Sequence, residues 1–337
     1  MNKKKIKTIF IIFINTFILL TIFSFAFYFY GKSTRVRVIN VIGEWGYPAL
    51  KKFSLYFKEF DARVQFNEDI FKSNTYVNKN LNPQADKHLL LLGGSNTMGE
   101  ELKDEEALEA RLVDEKTLRD YQPYVLAFMG WGPNNILGYL RQNKLIDKIK
   151  QKEGIAVFQI IADHHGRVCG NESYFSWSSG AGPKYVLESN ELKFSSMYAD
   201  TLDYHFYLFK RGFRDFFKNP IKPKQVKFYS DKCRKLLVAI VKQMKEIYLE
   251  QFPNGKFAVI TYPIYADGKY DEELTPTLEL LRNSGIDVYD PNESYLKAIS
   301  SNDIEASKLK SRSGHIRPKY YEIMLDTYVN IFKQISE

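Results

Sequence analysis

The sequence predicts an α/β protein built on a doubly wound, mostly parallel sheet of five strands with helices on both faces. Three observations predict it. Short apolar runs bounded by glycine, proline or charge alternate with longer stretches whose apolar residues recur at helical spacing. The run Leu89-Leu90-Leu91-Leu92 is apolar at every position and stops on Gly93-Gly94, as a strand buried on both faces does. About 300 residues follow the N-terminal apolar stretch, enough for one large domain with an ample core.

Ile9 to Tyr30 contains no charged residue. At about 1.5 Å per residue this run crosses a hydrocarbon core of about 30 Å. Lys3, Lys4, Lys5 and Lys7 precede it, which places residues 1–8 as a cytoplasmic tail and the rest of the chain outside. Lys32, Arg35 and Arg37 on the far side weaken that bias. A cleaved signal peptide is the competing reading, but the stretch is long and no small-x-small site follows it. Residues 9–30 are therefore expected to form one transmembrane signal-anchor helix, with 31–86 as a stalk or lead-in.

From residue 87 the elements follow in order. Strands are expected at His88–Leu92, Tyr124–Phe128, Ile155–Ala162, Phe257–Tyr262 and Ile286–Tyr289. Helices are expected at Glu105–Val113, Asn134–Lys150 and Phe228–Tyr248, the last with a stripe running from Leu236 to Ile247. Pro318 is placed to open a final helix carrying Tyr321, Met324, Leu325, Tyr328, Val329 and Phe332. An insertion at about 163–227, rich in aromatics, glycine and proline, either walls a cleft or extends the core.

The net charge of +8 is concentrated at one end. Residues 1–37 hold seven basic and no acidic residues, leaving 41 basic against 40 acidic in the remainder. A nearly neutral soluble part argues against nucleic acid as a partner. Cys169 and Cys233 are the only cysteines, and a disulfide and two buried thiols are both compatible with the sequence.

Ser95 stands directly after the leucine strand, at the carboxyl edge where α/β proteins place their chemistry. Serine needs an adjacent base at neutral pH. His315, in a loop after Gly314, is the best candidate; His88 begins a strand and His205 lies among tyrosines.

Gly93-Gly94-Ser95-Asn96-Thr97-Met98-Gly99 resembles the first block of the SGNH/GDSL hydrolases, Gly130-Trp131-Gly132-Pro133-Asn134 a second, and Ser313-Gly314-His315 the last. The resemblance spans roughly residues 87 to 332. It implies a three-layer α/β/α, SGNH/flavodoxin-like fold, with Ser95 as nucleophile and His315 as base. It also implies an oxyanion hole from the backbone N–H groups of Ser95 and Gly130 and a side chain at the end of the third strand. That last place lacks the family's asparagine and reads Ala162-Asp163-His164-His165, so His164 is the expected donor. Two further departures stand out. Gly94 occupies the family's aspartate position, and no aspartate precedes His315, where Arg312 and Ser313 stand. Asp303 and Glu305 lack the expected spacing. A Ser–His dyad or a degenerate site would follow.

Trp131 could stack on a sugar or belong to the core, and Asn134 could touch substrate or cap the next helix. Asp163-His164-His165 does not make a metal site if adjacent strand residues point to opposite faces. No metal and no cofactor are expected. The sequence thus points to a membrane-anchored, extracytoplasmic esterase or O-acyltransferase acting on acyl esters of envelope carbohydrate or lipid, a transferase drawing acyl groups from a membrane partner. The alternative is a catalytically degenerate glycan-binding or scaffold protein.

Overall fold

A computed structural model describes residues 14–19, 21–26, 54–57, 62–66, 71–178, 182–216, 230–262, 274–312 and 314–337. Residues 14–19 and 21–26 are helical and exposed. No helix among the described residues is long and apolar enough to cross a membrane, and the remainder of the expected 9–30 span lies outside them.

The central sheet has five parallel strands: β4 (Lys87–Gly93), β5 (Tyr121–Ala127), β6 (Glu153–Ile160), β9 (Lys256–Thr261) and β10 (Asp287–Tyr289), in the order β10-β9-β6-β4-β5. Leu89 to Leu92 of β4 are buried between two neighbours, as their unbroken apolarity requires. The β5 strand begins earlier than expected and includes Pro123. It is an edge strand, where the missing N–H of proline is tolerated.

Helices cover both faces. On one, α4 (Pro133–Gln142), α5 (His164–Cys169), α8 (Asp231–Gln251) and α9 (Thr275–Asn283) pack together. On the other lie α3 (Leu108–Val113), α10 (Asn292–Ser301) and α11 (Pro318–Ser336). Pro318 opens α11 as its first residue, where the absent N–H costs nothing. The helix expected over Asn134–Lys150 stops at Gln142, because Asn143 takes an extended conformation (φ −124°, ψ 131°), and a short 3-10 turn at Leu145–Asp147 follows.

The described part of the lead-in packs with the domain. The strands β1 (Ser54–Phe57), β2 (Ala62–Phe66) and β3 (Lys72–Ser73) form a small antiparallel sheet before the helix α1 (Thr75–Asn80). Phe71 joins the main core, edge-on to Tyr124. Lys72 pairs with Glu109 of α3 at 2.6 Å, both side chains buried, and Asn74 donates to the same carboxylate.

The insertion contains α5, α6 (Glu172–Ser178), the hairpin β7 (Pro183–Glu188) and β8 (Glu191–Met197), and α7 (Leu202–Phe216). Tyr174, Phe175, Tyr198, Tyr204, Tyr207 and Leu208 give it a small core of its own. A disulfide joins Cys169, the last residue of α5, to Cys233 in the first turn of α8. This settles the question the sequence left open.

Chain order around β4 has a consequence for the site. From β4 the chain passes to β5 on one side and then to β6 on the other. Such a reversal opens a crevice beyond the carboxyl ends of the strands.

Candidate active site

Ser95 sits in that crevice. It is the first residue of the single-turn helix α2 (Ser95–Met98), which Gly99 closes at φ 72°, a conformation that favours glycine. The Ser95 N–H, in the first turn, is not required for intrahelical bonding. The preceding Gly94 explains one departure from the family pattern. A Cβ at Gly94 would lie 3.0 Å from the Trp131 carbonyl oxygen and 3.2 Å from an Arg167 guanidinium nitrogen, so an aspartate there would require these neighbours to shift.

The His315 loop is brought to the same segment. The isolated bridge Lys310–Ile316 and the bond from Ser311 N–H to the His315 carbonyl tighten it, and Gly314 supplies the turn at φ 93°. The Ile316 N–H then donates to Asn96 Oδ1 at 3.4 Å, tying the loop to the residue after Ser95. Ser313 lies outside the described residues.

The acid partners of His315 were not anticipated. Nδ1 lies 3.1 Å from Glu101 Oε1, and Nε2 lies 3.4 Å from Glu100 Oε2. Both carboxylates are largely buried, and burial raises the pKa of Glu100, opposed by the charges of His315 and Arg167. Glu101 holds a positive φ of 72°, uncommon for a non-glycine residue, which turns the chain immediately after Gly99. The carboxylate missing before the histidine is thus supplied from the segment that begins with Ser95. The only sequence signal is the pair Glu100-Glu101 behind the Gly99 turn.

His164 is buried at the start of α5, not on a strand as expected. Its Nδ1 accepts from the Ile161 N–H at 3.4 Å, and its ring stacks on Phe158. Burial drives its pKa well down, aided by Arg167. The imidazole is therefore neutral, with its proton on Nε2, which has no hydrogen-bond partner. His164 lines the cleft together with Gly94, Ser95, Thr97, Gln159 and Tyr262. His165 turns elsewhere, its ring nitrogens on the Ala162 carbonyl and the Thr277 hydroxyl. No cluster of three or more metal-binding side chains occurs among the described residues.

Arg167, also unanticipated, lines the cleft from α5. Asp163 binds its Nε at 2.8 Å, and the Trp131 carbonyl accepts from its Nη1. Gly130, at φ 71°, forms the corner of the turn after β5 and is not among the residues that line the cleft.

Two expected substrate contacts are corrected. Trp131 is 2% exposed and packs against Phe128 and Tyr139, so its ring belongs to the core and offers no face to a sugar. Asn134 is also buried, donating to the Tyr174 hydroxyl and the Pro183 carbonyl, and so anchors the insertion. Asn135 does the capping, accepting from the Gly132 N–H at 3.0 Å. His88 lies at the opposite end of β4, bonded to Tyr248 at 2.8 Å.

The fold is that of a three-layer α/β/α protein with a serine at the switch point of its sheet, and a carboxylate-held imidazole lies on the loop tied to the residue after that serine. No family model and no curated protein matches the chain. Among solved structures it is similar to a psychrotrophic esterase, EstA, from Pseudoalteromonas sp., at 14% identity and TM-score 0.41, over 75% of this chain and 100% of that one. An acetyl xylan esterase, Est2A, from the rumen bacterium Butyrivibrio proteoclasticus is similar at 11% identity and TM-score 0.38, over 75% of this chain and 64% of that one. TesA is similar at 12% identity and TM-score 0.38, over 72% of this chain and 97% of that one.

Proposed function

We propose that the chain is a serine ester hydrolase or O-acyltransferase, held in a membrane by residues 9–30 and working on the outer side. Its substrates are acyl esters of envelope carbohydrate or lipid. The observation that carries the reading is the Glu101–His315 contact on the segment that begins with Ser95. The disulfide supports an oxidising compartment.

In this reading Ser95 Oγ attacks the acyl carbonyl and His315 Nε2, turning from Glu100 Oε2 at 3.4 Å, takes the hydroxyl proton. Glu101 accepts the Nδ1–H, fixes the tautomer and stabilises the imidazolium that forms. The Ser95 and Gly130 N–H groups and His164 Nε2–H donate to the developing oxyanion. The neutral state of His164 suits it to donate without competing for the proton. His315 then returns the proton to the departing alcohol, leaving Ser95 acylated. Water resolves the acyl-enzyme in an esterase. In a transferase a sugar hydroxyl does so, and a membrane partner supplies the acyl groups.

The test uses the full chain in detergent. It should hydrolyse p-nitrophenyl acetate, and a p-nitrophenyl phosphonate should label Ser95 stoichiometrically. Ser95→Ala should lose both. Labelling without hydrolysis identifies the transferase. Neither labelling nor hydrolysis would refute the reading and leave a glycan-binding or scaffold protein.

A further inference from the structure

The surface helix α7 is apolar on two sides. Its inner side, Tyr204, Tyr207 and Leu208, packs with Tyr174, Phe175 and Tyr198 in the core of the insertion. A helix with one such face normally turns a polar face outward. Here Leu202, Phe206, Phe209 and Phe213 recur at helical spacing and form a single outer stripe. Leu202 is 86% exposed, Phe206 58% and Phe213 47%. The Phe206 ring stacks on that of the half-buried Phe209. Single exposed apolar residues are ordinary, but an aligned row of them marks a surface that meets something apolar.

Charge indicates what that is. Lys210 borders the stripe, its Nζ 4.7 Å from the centre of the Phe206 ring and 3.0 Å from Glu172. Arg211 and Arg214 follow on the same helix. In sequence, the chain leaving α7 carries Lys218, Lys222, Lys224 and Lys227 and no acid before Asp231. Phenylalanines in a row beside basic residues are the composition of a helix lying in a membrane interface, the rings in the acyl boundary and the cations at anionic headgroups. The same chain carries the uncharged run Ile9 to Tyr30, whose described helical part exposes Phe17, Ile22 and Phe25. A bilayer gripped by that run is present to α7 at high effective concentration, so even a short stripe can engage it.

We propose that the outer stripe of α7 docks on an anionic lipid surface, with Leu202, Phe206 and Phe213 in the lipid and Lys210 at the headgroups. This rests on the reading of residues 9–30 as a membrane anchor and is independent of the role of Ser95.

Both native cysteines are in the disulfide, so an introduced cysteine is the one free thiol and takes a nitroxide label selectively. Phe206→Cys and Leu202→Cys report on the stripe, the second covering a failure of the first to fold. Lys152→Cys, exposed just before β6 at the opposite end of that strand from the insertion, is the control. The full chain is reconstituted in vesicles of phosphatidylcholine with phosphatidylglycerol, and in phosphatidylcholine alone. Membrane depth is read from the relative collision rates of the nitroxide with oxygen and with a water-soluble nickel chelate. In the mixed vesicles both stripe positions should lie about 5–10 Å below the headgroups, and Lys152→Cys should read water. The depth should decrease without phosphatidylglycerol. Stripe labels that read water in vesicles carrying the chain would overturn the proposal, and equal depth in both lipids would overturn the choice of an anionic surface. Dipolar broadening that fades on dilution with unlabelled chain would put a second copy on the stripe and overturn it as well. A chain that fails to float with the vesicles at all would instead defeat the anchor reading, and the docking with it.

Discussion

Removing the Cys169–Cys233 disulfide should weaken both the fold and the site. The bridge closes a loop with a sequence separation of 64. Loop-closure entropy for that length corresponds to about 4 kcal/mol at 25 °C. For a domain of this size each kcal/mol moves the melting temperature by about 2–4 °C, so a Cys169→Ala/Cys233→Ala variant should melt about 8–16 °C lower. The effect should reach the chemistry, because Cys169 ends the same short helix that carries His164 and Arg167. Untying that helix from α8 frees the proposed oxyanion donor to drift. The assay pairs near-ultraviolet circular dichroism melts, with and without reductant, with the rate of Ser95 labelling at 20 °C below the variant's midpoint. Reductant should lower the wild-type midpoint and leave the variant unchanged. A variant melting within about 2 °C of the wild type would refute the loop-entropy argument. Unchanged labelling would refute the claim that the bridge steadies His164.

Three further predictions concern ionised groups. Glu101→Gln removes the anion that holds His315 Nδ1 and should lower kcat on p-nitrophenyl acetate by about 10²–10⁴-fold with little change in KM. His88 is buried, and burial depresses its pKa from 6.5 to about 4. Its neutral form favours the folded state above pH 6.5, and that contribution, about 3 kcal/mol, should be lost as pH falls toward 4. Urea midpoints should therefore drop across that window and flatten in His88→Gln; an unchanged slope would disprove the assignment. Lys72→Met should cost about 3–5 kcal/mol in urea unfolding by stranding Glu109, whereas Lys72→Met/Glu109→Leu together should recover most of it.

The sheet was legible because each strand is a short apolar run between breakers, a pattern that burial on both faces imposes directly. His88–Leu92 and Phe257–Tyr262 match the observed strands to within a residue. The break after Gln142 was not legible, since the stripe continues through Ile149 and only the conformation of Asn143 ends the helix. Ser95 was marked by its place after a strand, and His315 and His164 by the family resemblance; the structure puts Ser95 and His164 on one cleft. Glu100 and Glu101 were not, because the search for a carboxylate looked just before the histidine, and long-range contact leaves no local trace. Trp131 and Asn134 show the converse. They stand beside the site in sequence, yet packing turns both into the interior.

Ser95, the proposed nucleophile, shares one short stretch of chain with Glu100 and Glu101, whereas His315, the proposed base, arrives from more than two hundred residues away, immediately ahead of α11. On the proposed mechanism, catalytic competence waits until the segment carrying His315 has folded onto the Ser95 segment. A stalled or clipped polypeptide ending before residue 315 would carry a serine with nothing to take its proton. On that mechanism such a chain would be inert toward esters, so activity would double as a certificate of finished synthesis.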